Sequence, residues 1–322
     1  EAAVEETEPE ETEPEVETAE VTTLTGAVDM ELESDEVLFA VYTESLFSGE
    51  ELSPYGTAAG DRLTGDRRLA YEALAGLISQ IAAGELDTGV LTIGHNLGKV
   101  SVGGVVSTYT PMEEVLFTGT SFVYEDLVAV MDALLSDMPY ELYWFDKTIS
   151  YKAQPLVTSS GKMFLTFSLP VSADYSATGT EGTYDVKTEL TGAATAAAEN
   201  AADIVAEFAG LDNTVVLQAY KDRICDLTDY NDAAVEDSTT PYGDPWQLIH
   251  VFDGDESTKV VCEGYSKAFQ YLCDLDANAD SFNCTSPTGY MGSNNQNGGA
   301  HMWNVVTLDG KNYLVDVTNC DG

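Results

Sequence analysis

Basic residues are scarce in this sequence: 13 Lys and Arg stand against 56 Asp and Glu, a formal net charge of −43 at pH 7. A field of that sign repels phosphate backbones, so we expect no nucleic-acid partner. Long apolar runs are also missing, because no segment approaches the roughly 18 apolar residues of a membrane span. We therefore expect a globular protein with no membrane span.

Cysteine and histidine are few as well. All five cysteines lie in the last third of the chain, and their odd number leaves at least one thiol free if the others pair. No two of them have the C-x-x-C spacing, and three histidines are too few to complete zinc sites with them. We predict neither a metal site nor a cofactor.

The acidic charge is concentrated at the start of the chain. Residues 1–20 hold ten Glu and no basic residue, so segment 1–26 is predicted to be a disordered acidic linker. The chain starts at Glu1 without a signal segment, which fits a mature or trimmed form. Such a tract resembles the spacer of Gram-positive surface proteins. This predicts an extracellular or cell-surface location, with a lipid or cell-wall anchor as an option, while an intracellular acidic tail is the alternative.

Residues 27–185 are predicted to form an N-terminal α+β domain of unknown role. Residues 37–42 suit a strand, and apolar periodicity predicts helices from Asp66 to Gly84, with Asp66 as N-cap, and over residues 124–137. β-Branched residues predict short strands over 89–110. An aromatic cluster consists of Tyr140, Tyr143, Trp144 and Phe145. It could be a platform for carbohydrate stacking, but a core or edge-strand role is favoured.

Residues 186–322 are predicted to form a second α+β domain. Apolar stripes predict helices at about 193–209 and 213–228, and a third helix that begins between Cys262 and Ser266. Strands follow that third helix. This order, in which the helices precede the strands, is typical of an α+β domain with segregated elements.

Cys262 has the setting of a nucleophile. A cysteine in the first turn of a helix points its sulfur at unpaired backbone N–H groups and the positive end of the helix dipole, which lower the pKa of a thiol. Gly264 is expected to leave space beside that turn. The backbone N–H of Cys262 could also donate to an oxyanion. A structural thiol and half of a disulfide are the alternatives.

His301 and Asp316 are the candidate base and orienting acid. His301 follows the loop MGSNNQNGGA and begins the predicted strand HMWNVVTL, in which Trp303 shares its face. Asp316 lies within the apolar strand YLVDVT, where a carboxylate is costly to bury unless it is paired. A hairpin turn at Asp309-Gly310 could bring the two side chains together.

These segments resemble the core of bacterial transglutaminase-like proteins. The resemblance rests on CEGYSKAF, HMWNVV and LDGKNYLVDVT in that order, and covers roughly residues 215–322. It implies a papain-like α+β core with the cysteine at a helix N-terminus and the histidine and aspartate on antiparallel strands. It also implies that Cys262 is the nucleophile, His301 the general base and acid, and Asp316 the residue that orients it. Family cores continue with more sheet past that strand, which is compatible with a catalytic domain truncated at its C-terminus.

Further side chains are assigned on weaker grounds. Trp303, Tyr265 and Tyr230 are candidates for substrate binding, and Gln247 or Trp246 for the oxyanion side chain. The cysteines other than Cys262 form two disulfides or stay reduced, and the candidates are Cys225, Cys273, Cys284 and Cys320.

The expected function is cysteine-dependent acyl transfer or hydrolysis on amide bonds, with a peptide, protein or cell-wall peptide as substrate. Water or an amine could resolve the thioester, and the sequence leaves that choice open. The alternative is a non-enzymatic cell-surface binding or adhesion module that keeps the transglutaminase-like fold.

Overall fold

A computed structural model describes residues 59–276, 281–291 and 299–321, together with a two-residue strand at Glu17–Thr18. The fold is mixed α+β. Strand β1, Glu17–Thr18, pairs in parallel with Val100 and Ser101. The rest of the predicted disordered segment 1–26, and the predicted strand at residues 37–42, lie outside the described residues.

Five helices in the described part of the chain follow the predicted apolar stripes, and two short ones, Asp232–Glu236 and Ile249–Phe252, were not predicted. The one shifted boundary is that of α3, which begins at Thr188 rather than near residue 193, because the backbone N–H of Lys187 is held by the carbonyl of Tyr175 and sets the entry earlier. The helices are α1 (Asp66–Ala82), α2 (Tyr124–Asp137), α3 (Thr188–Glu207), α4 (Asn213–Leu227), α5 (Asp232–Glu236), α6 (Ile249–Phe252) and α7 (Cys262–Leu275).

Four strands form the main sheet of the first half, in the order β5–β2–β7–β6. Strand β3 pairs with β4 in a second sheet, and α1 and α2 pack on one another beside the main sheet. The strands of this half are β2 (Val90–Gly94), β3 (Gly98–Val102), β4 (Val105–Tyr109), β5 (Glu113–Glu114), β6 (Lys152–Val157) and β7 (Met163–Ser168).

The strands of the second half are short and antiparallel except for one pair. Strands β8 and β9 run parallel, β11 pairs with β12, and a three-stranded sheet has the order β10–β13–β14. They are β8 (Asp229–Tyr230), β9 (Lys259–Val260), β10 (Phe282–Thr285), β11 (Thr288–Met291), β12 (Gly299–Met302), β13 (Asn304–Leu308) and β14 (Lys311–Val315).

The aromatic cluster of the first half lies in the core. The side chains of Tyr140, Tyr143, Trp144 and Phe145 are all buried. The ring of Tyr140 stacks on Tyr271 of α7, with 4.9 Å between ring centroids. A carbohydrate platform needs exposed ring faces, so the core alternative is the one the structure supports.

One hydrophobic cluster crosses the predicted boundary between residues 185 and 186. Its buried side chains come from residues between Ala70 in α1 and Val317 after β14. Polar contacts also cross that boundary, since the hydroxyl of Tyr175 donates to Asp244 at 2.6 Å. The division of the chain into domains at this point therefore stays a prediction, and a shared core joins the two parts.

Three local expectations are wrong. Asp66 is the first residue of α1 rather than its N-cap, because its carboxylate accepts hydrogen bonds from the backbone N–H groups of Thr118 and Gly119. The predicted strand after His301 is interrupted at Trp303, where the N–H donates to the carbonyl of Pro287. Asp316 follows β14, which ends at Val315, instead of lying inside it.

Candidate active site

Helix α7 presents Cys262 at its first position. The preceding residue, Val261, has an extended backbone, and its N–H donates to the carbonyl of Pro245 at 2.8 Å. A run of apolar side chains on α7 is buried, which fixes the helix against the core. The start of α7 is thus held by a backbone hydrogen bond and by packing, and Cys262 emerges at a defined place.

Gly264 has a different role from the one predicted. A Cβ atom at this position would lie 2.6 Å from Cβ of Val260 and 3.0 Å from the carbonyl oxygen of Gln247. The absence of a side chain lets α7 approach these residues closely. Gly264 therefore closes the packing beside the first turn rather than leaving space there.

Two short hairpins bring the predicted base and acid together. Strand β12 carries His301 opposite Gly289 of β11, and β13 pairs with β14 so that Asn304 faces Val315. The connecting turn, Asp309-Gly310, has positive φ at both residues, 52° and 71°, as a tight type I′ turn requires. The hairpin returns the chain to the level of His301 at Asp316.

His301 and Asp316 form a direct pair. Nε2 of His301 lies 3.0 Å from Oδ2 of Asp316, and their side chains are 9% and 19% exposed. If Nε2 carries the proton that it donates to the carboxylate, Nδ1 is left as an acceptor. The predicted orienting contact between these two residues is thus present.

Two neighbours hold this pair in place. The indole of Trp303 stacks on the imidazole, with 6.2 Å between centroids and 26° between planes. Nδ2 of Asn319 donates to Oδ2 of Asp316 at 2.6 Å. The imidazole is therefore fixed on one face by a ring and at one nitrogen by a carboxylate that is itself fixed.

The sulfur of Cys262 is half-buried and lies against the strand that carries His301. The backbone N–H groups of Met302 and Glu263 are within hydrogen-bonding reach of it. Burial raises the pKa of the Cys262 thiol, and these two N–H groups offset only part of that effect. The expected lowering is therefore not found in the free chain, because desolvation of the thiolate outweighs the helix N-terminus. A protonated imidazole would add the missing attraction.

The three predicted substrate-binding aromatics occupy different environments. Trp303 is half-buried on the His301 side. Tyr230 is half-buried near Cys262, and burial raises the pKa of the Tyr230 hydroxyl, with a smaller contribution from the Cys262 thiolate. Tyr265 is fully buried, and its hydroxyl donates to the carboxylate of Asp321. Tyr265 therefore packs inside the molecule, where it stacks on Tyr230, and has no surface left for a substrate.

The two candidates for an oxyanion side chain are also separated by the structure. Gln247 is buried, with Nε2 donating to the hydroxyl of Tyr242 at 3.0 Å and Oε1 accepting from Lys267 at 2.7 Å. Its amide donor is thus engaged within the protein. Trp246 is half-buried, and its ring packs 5.7 Å from that of Tyr242.

The remaining histidines make other polar contacts. Nδ1 of His95 contacts the backbone of Met163 in the first half of the chain. Nε2 of His250 lies 3.5 Å from Asp244, and this interaction raises the pKa of the imidazole in spite of the lowering effect of burial. His301 is the histidine whose strand packs on α7.

All five cysteines are free thiols in the structure, which corresponds to the reduced alternative. The Cys273 and Cys284 thiols are hydrogen-bonded neighbours, and burial raises the pKa of Cys273. The half-buried thiol of Cys225 lies near Cys320, and burial raises its pKa to about 11. Within the described ranges, no group of three or more His, Cys, Asp or Glu side chains is arranged to hold a metal ion.

Sequence reasoning missed two features of the site. One is Asn319, which fixes the carboxylate of Asp316. The other is a buried cluster of charges around Glu263, formed with Lys147 and Lys267. The spacing of Glu263 and Lys267, four residues apart on a helix, could have indicated their pairing, whereas nothing local points to Lys147.

A comparison of the sequence with protein-family models and with curated proteins finds no match. In the part of the chain that the structure describes, no helix has the length and apolar character needed to cross a membrane.

Proposed function

We propose that this protein transfers or hydrolyses acyl groups of amide substrates through a thioester on Cys262, using a transglutaminase-like catalytic core. The observation that carries the proposal is the 3.0 Å contact between Nε2 of His301 and Oδ2 of Asp316. His301 lies on β12, and the N–H of the next residue on that strand, Met302, points at the Cys262 sulfur. A cysteine, an imidazole and a carboxylate in this order are the parts of a cysteine-based triad.

The chemistry follows from the two nitrogens of the imidazole. Asp316 holds the proton on Nε2, so Nδ1 accepts the thiol proton as the sulfur bonds to the substrate carbonyl. The tetrahedral intermediate then expels the amine, which takes the proton from His301 as the C–N bond breaks. The product of this half-reaction is an acyl thioester on Cys262 and a free amine.

The second half-reaction returns the enzyme to its starting state. His301 removes a proton from water or from an acceptor amine as this nucleophile attacks the thioester, and His301 passes the proton to the departing sulfur as the C–S bond breaks. Hydrolysis is favoured over crosslinking because water needs no second binding site. First-turn N–H groups of α7, including that of Cys262, are the donors available to the developing oxyanion.

The substrate class is a peptide, protein or cell-wall peptide. The net charge of −43 favours basic or neutral substrates over acidic ones. The acidic segment at the start of the chain supports an extracellular or cell-surface location.

One observation favours the alternative, a surface binding module whose thiol is idle. Burial raises the pKa of Cys262 in the free chain, as it does in an inert structural cysteine. The two functions differ in whether Cys262 becomes acylated.

Acylation of Cys262 tests the proposal. The full chain is mixed with neutral and basic peptides that contain glutamine and amide termini, with and without an added primary amine, and quenched in acid. Peptide mass spectrometry should find an acyl adduct on Cys262 and a hydrolysed or amine-exchanged peptide. Turnover that persists unchanged in Cys262→Ala would contradict the thioester.

The orienting role of Asp316 is tested by Asp316→Asn. Loss of the carboxylate leaves the imidazole without its charged partner and should lower the rate of peptide turnover about 10²- to 10⁴-fold. The matched control is Asp309→Asn, which makes the same change in the exposed turn of the same hairpin, at a positive φ that asparagine accepts. Equal losses in the two variants would contradict the role of Asp316.

A further inference from the structure

Three charged side chains meet in the interior behind the first turn of α7. Oε2 of Glu263 lies 2.8 Å from Nζ of Lys147, and Oε1 lies 2.8 Å from Nζ of Lys267. The hydroxyl of Tyr242 donates to Oε1 at 2.6 Å. Gln247 completes the group, as it accepts from Lys267 and donates to Tyr242. We call Lys147, Glu263 and Lys267 the ion cluster.

The ion cluster is unusual for this chain. Only 13 basic residues are available among 56 acidic ones, yet two lysines are used here with side chains 11% and 13% exposed. Burying an ammonium group is costly even when it is paired. Two ammonium groups share the one carboxylate of Glu263 within the cluster. A simple ion pair would have needed one lysine.

Lys147 reaches the cluster from the first half of the chain. It is separated from Glu263 by 116 positions and follows Asp146, whose N–H donates to the carbonyl of Pro170. Asp146 also accepts from the backbone N–H and hydroxyl of Thr148, so the segment around Lys147 is fixed. The ammonium group lies over the ring of Tyr242, 5.4 Å from its centroid.

The ion cluster adjoins the nucleophile through the backbone. Glu263 is the residue after Cys262, so its carboxylate disfavours a thiolate at that position, and Lys147 favours one and offsets part of that effect. The other titratable groups on neighbouring elements are Tyr230 of β8, which interacts with Cys262, and His301 of β12, the strand that packs on α7.

We propose that Lys147 is a positioning residue that holds Glu263 through their 2.8 Å ion pair and offsets the repulsion of that carboxylate on the thiolate of Cys262. This rests on the proposed function, in which Cys262 is the nucleophile. It gives the first half of the chain a role in the reaction, because the charge comes from that half. A purely structural clamp between the two halves would need the same contacts but would not affect the ionisation of Cys262.

The test measures the rate of Cys262 alkylation by iodoacetamide between pH 5 and 10, resolved from the other cysteines by peptide mass spectrometry. Lys147→Met should raise the midpoint of the profile by about half a pH unit or more, because an attractive charge is lost. Glu263→Gln should lower it, because a repulsive charge is lost. Opposite shifts from two substitutions in one cluster are not expected from loss of packing.

Two further variants complete the design. Lys152→Met removes a positive charge from an exposed site on β6 and should leave the midpoint unchanged. Lys147→Arg keeps the charge and should restore most of the wild-type profile. Because the ion cluster is buried, the shift of Lys147→Met should persist in 1 M NaCl, whereas the effect of a surface charge is screened there.

The proposal is overturned if the Lys147→Met and wild-type profiles coincide, or if Lys147→Met and Glu263→Gln shift in the same direction. If Lys147→Met does not fold, Lys147→Gln replaces it, because the amide removes the charge but can still donate a hydrogen bond to Glu263, and the same upward shift is expected. Failure of the proposed function is a separate result, because it would show as equal Cys262 reactivity in wild type and His301→Ala. The Lys147 shift can be measured whether or not a substrate is turned over.

Discussion

Glu263 carries a charge into the protein interior next to the candidate nucleophile. Burial by itself raises the pKa of a carboxyl group. For Glu263 the two lysines together outweigh burial and lower the pKa to about 2. Burial conversely lowers the pKa of Lys267. Both directions follow from one arrangement, in which a carboxylate between two ammonium groups is stabilised more than either lysine is.

The pH dependence of stability follows from that shift. A carboxyl group with a depressed pKa in the folded state contributes its full stabilisation above its ordinary value of 4.5 and loses it as the pH falls toward 2. Glu263→Gln lacks this contribution at every pH. We therefore expect the difference in unfolding free energy between wild type and Glu263→Gln to shrink by on the order of 3 kcal/mol between pH 5 and pH 2.

Urea unfolding at several pH values checks this expectation. Glu72→Gln is the matched control, because Glu72 also pairs with a basic residue four positions away on a helix but is 53% exposed. Its difference from wild type should stay within about 0.5 kcal/mol throughout. A constant difference for Glu263→Gln over the same range would contradict the buried charge.

Individual site residues differ in how far the sequence could predict them. Cys262, His301 and Asp316 could be selected because reactive side chains stand out against apolar helix and strand patterns. The contact between His301 and Asp316 also followed from a recognisable turn at Asp309-Gly310. Lys147 could not be selected, since its contact with Glu263 spans 116 positions and depends on how the two halves pack.

At the scale of elements, the start of α7 determines where the sulfur lies. The helix begins at Cys262 because Val261 is extended and bonded to Pro245, and because Gly264 allows close packing on Val260. Apolar periodicity predicted the five longer helices of the described chain but not the short helices α5 and α6. It predicted the strands after His301 less well, because the interruption at Trp303 depends on a hydrogen bond to Pro287, which no local pattern shows.

Gly264→Ala is the sharpest test of this element. Alanine favours a helix, but its Cβ would lie 2.6 Å from Val260, so we expect a net loss of about 1–3 kcal/mol in unfolding free energy. Gly76→Ala in α1 is the control, since no atom lies within 4 Å of its added Cβ, and it should stabilise the protein by about 0.5–1 kcal/mol. Thermal or urea unfolding measures both. Stabilisation by Gly264→Ala would contradict the close packing of α7 on Val260.

At the scale of the whole molecule, one large hydrophobic cluster joins the two halves of the described chain, beside a small separate cluster that includes Val100 and Phe164. Apolar contacts join α1 to the segment after β14, and Tyr140 stacks on Tyr271 across the predicted boundary. The boundary at residue 185 was predicted from a Gly- and Thr-rich segment. Such a segment marks a loop, but it does not show whether the parts on either side of it are buried against each other.

A shared core predicts a single unfolding transition. The chain has three tryptophans, so a variant that keeps only Trp144 reports on the first half, and one that keeps only Trp246 reports on the second. In each variant, fluorescence and far-UV circular dichroism should give the same urea midpoint. Two separated midpoints in one variant would show that the halves unfold independently.

The central claim is that His301, held by Asp316, activates Cys262, and one measurement tests it most directly. The rate of iodoacetamide labelling of Cys262 at pH 6 is compared in wild type and His301→Ala. Cys225, also half-buried, with a pKa raised to about 11, serves as the reference thiol in the same molecules. The account predicts that wild-type Cys262 reacts roughly 10²-fold faster than Cys225 and that His301→Ala removes most of this advantage. Equal Cys262 rates in the two proteins would contradict it.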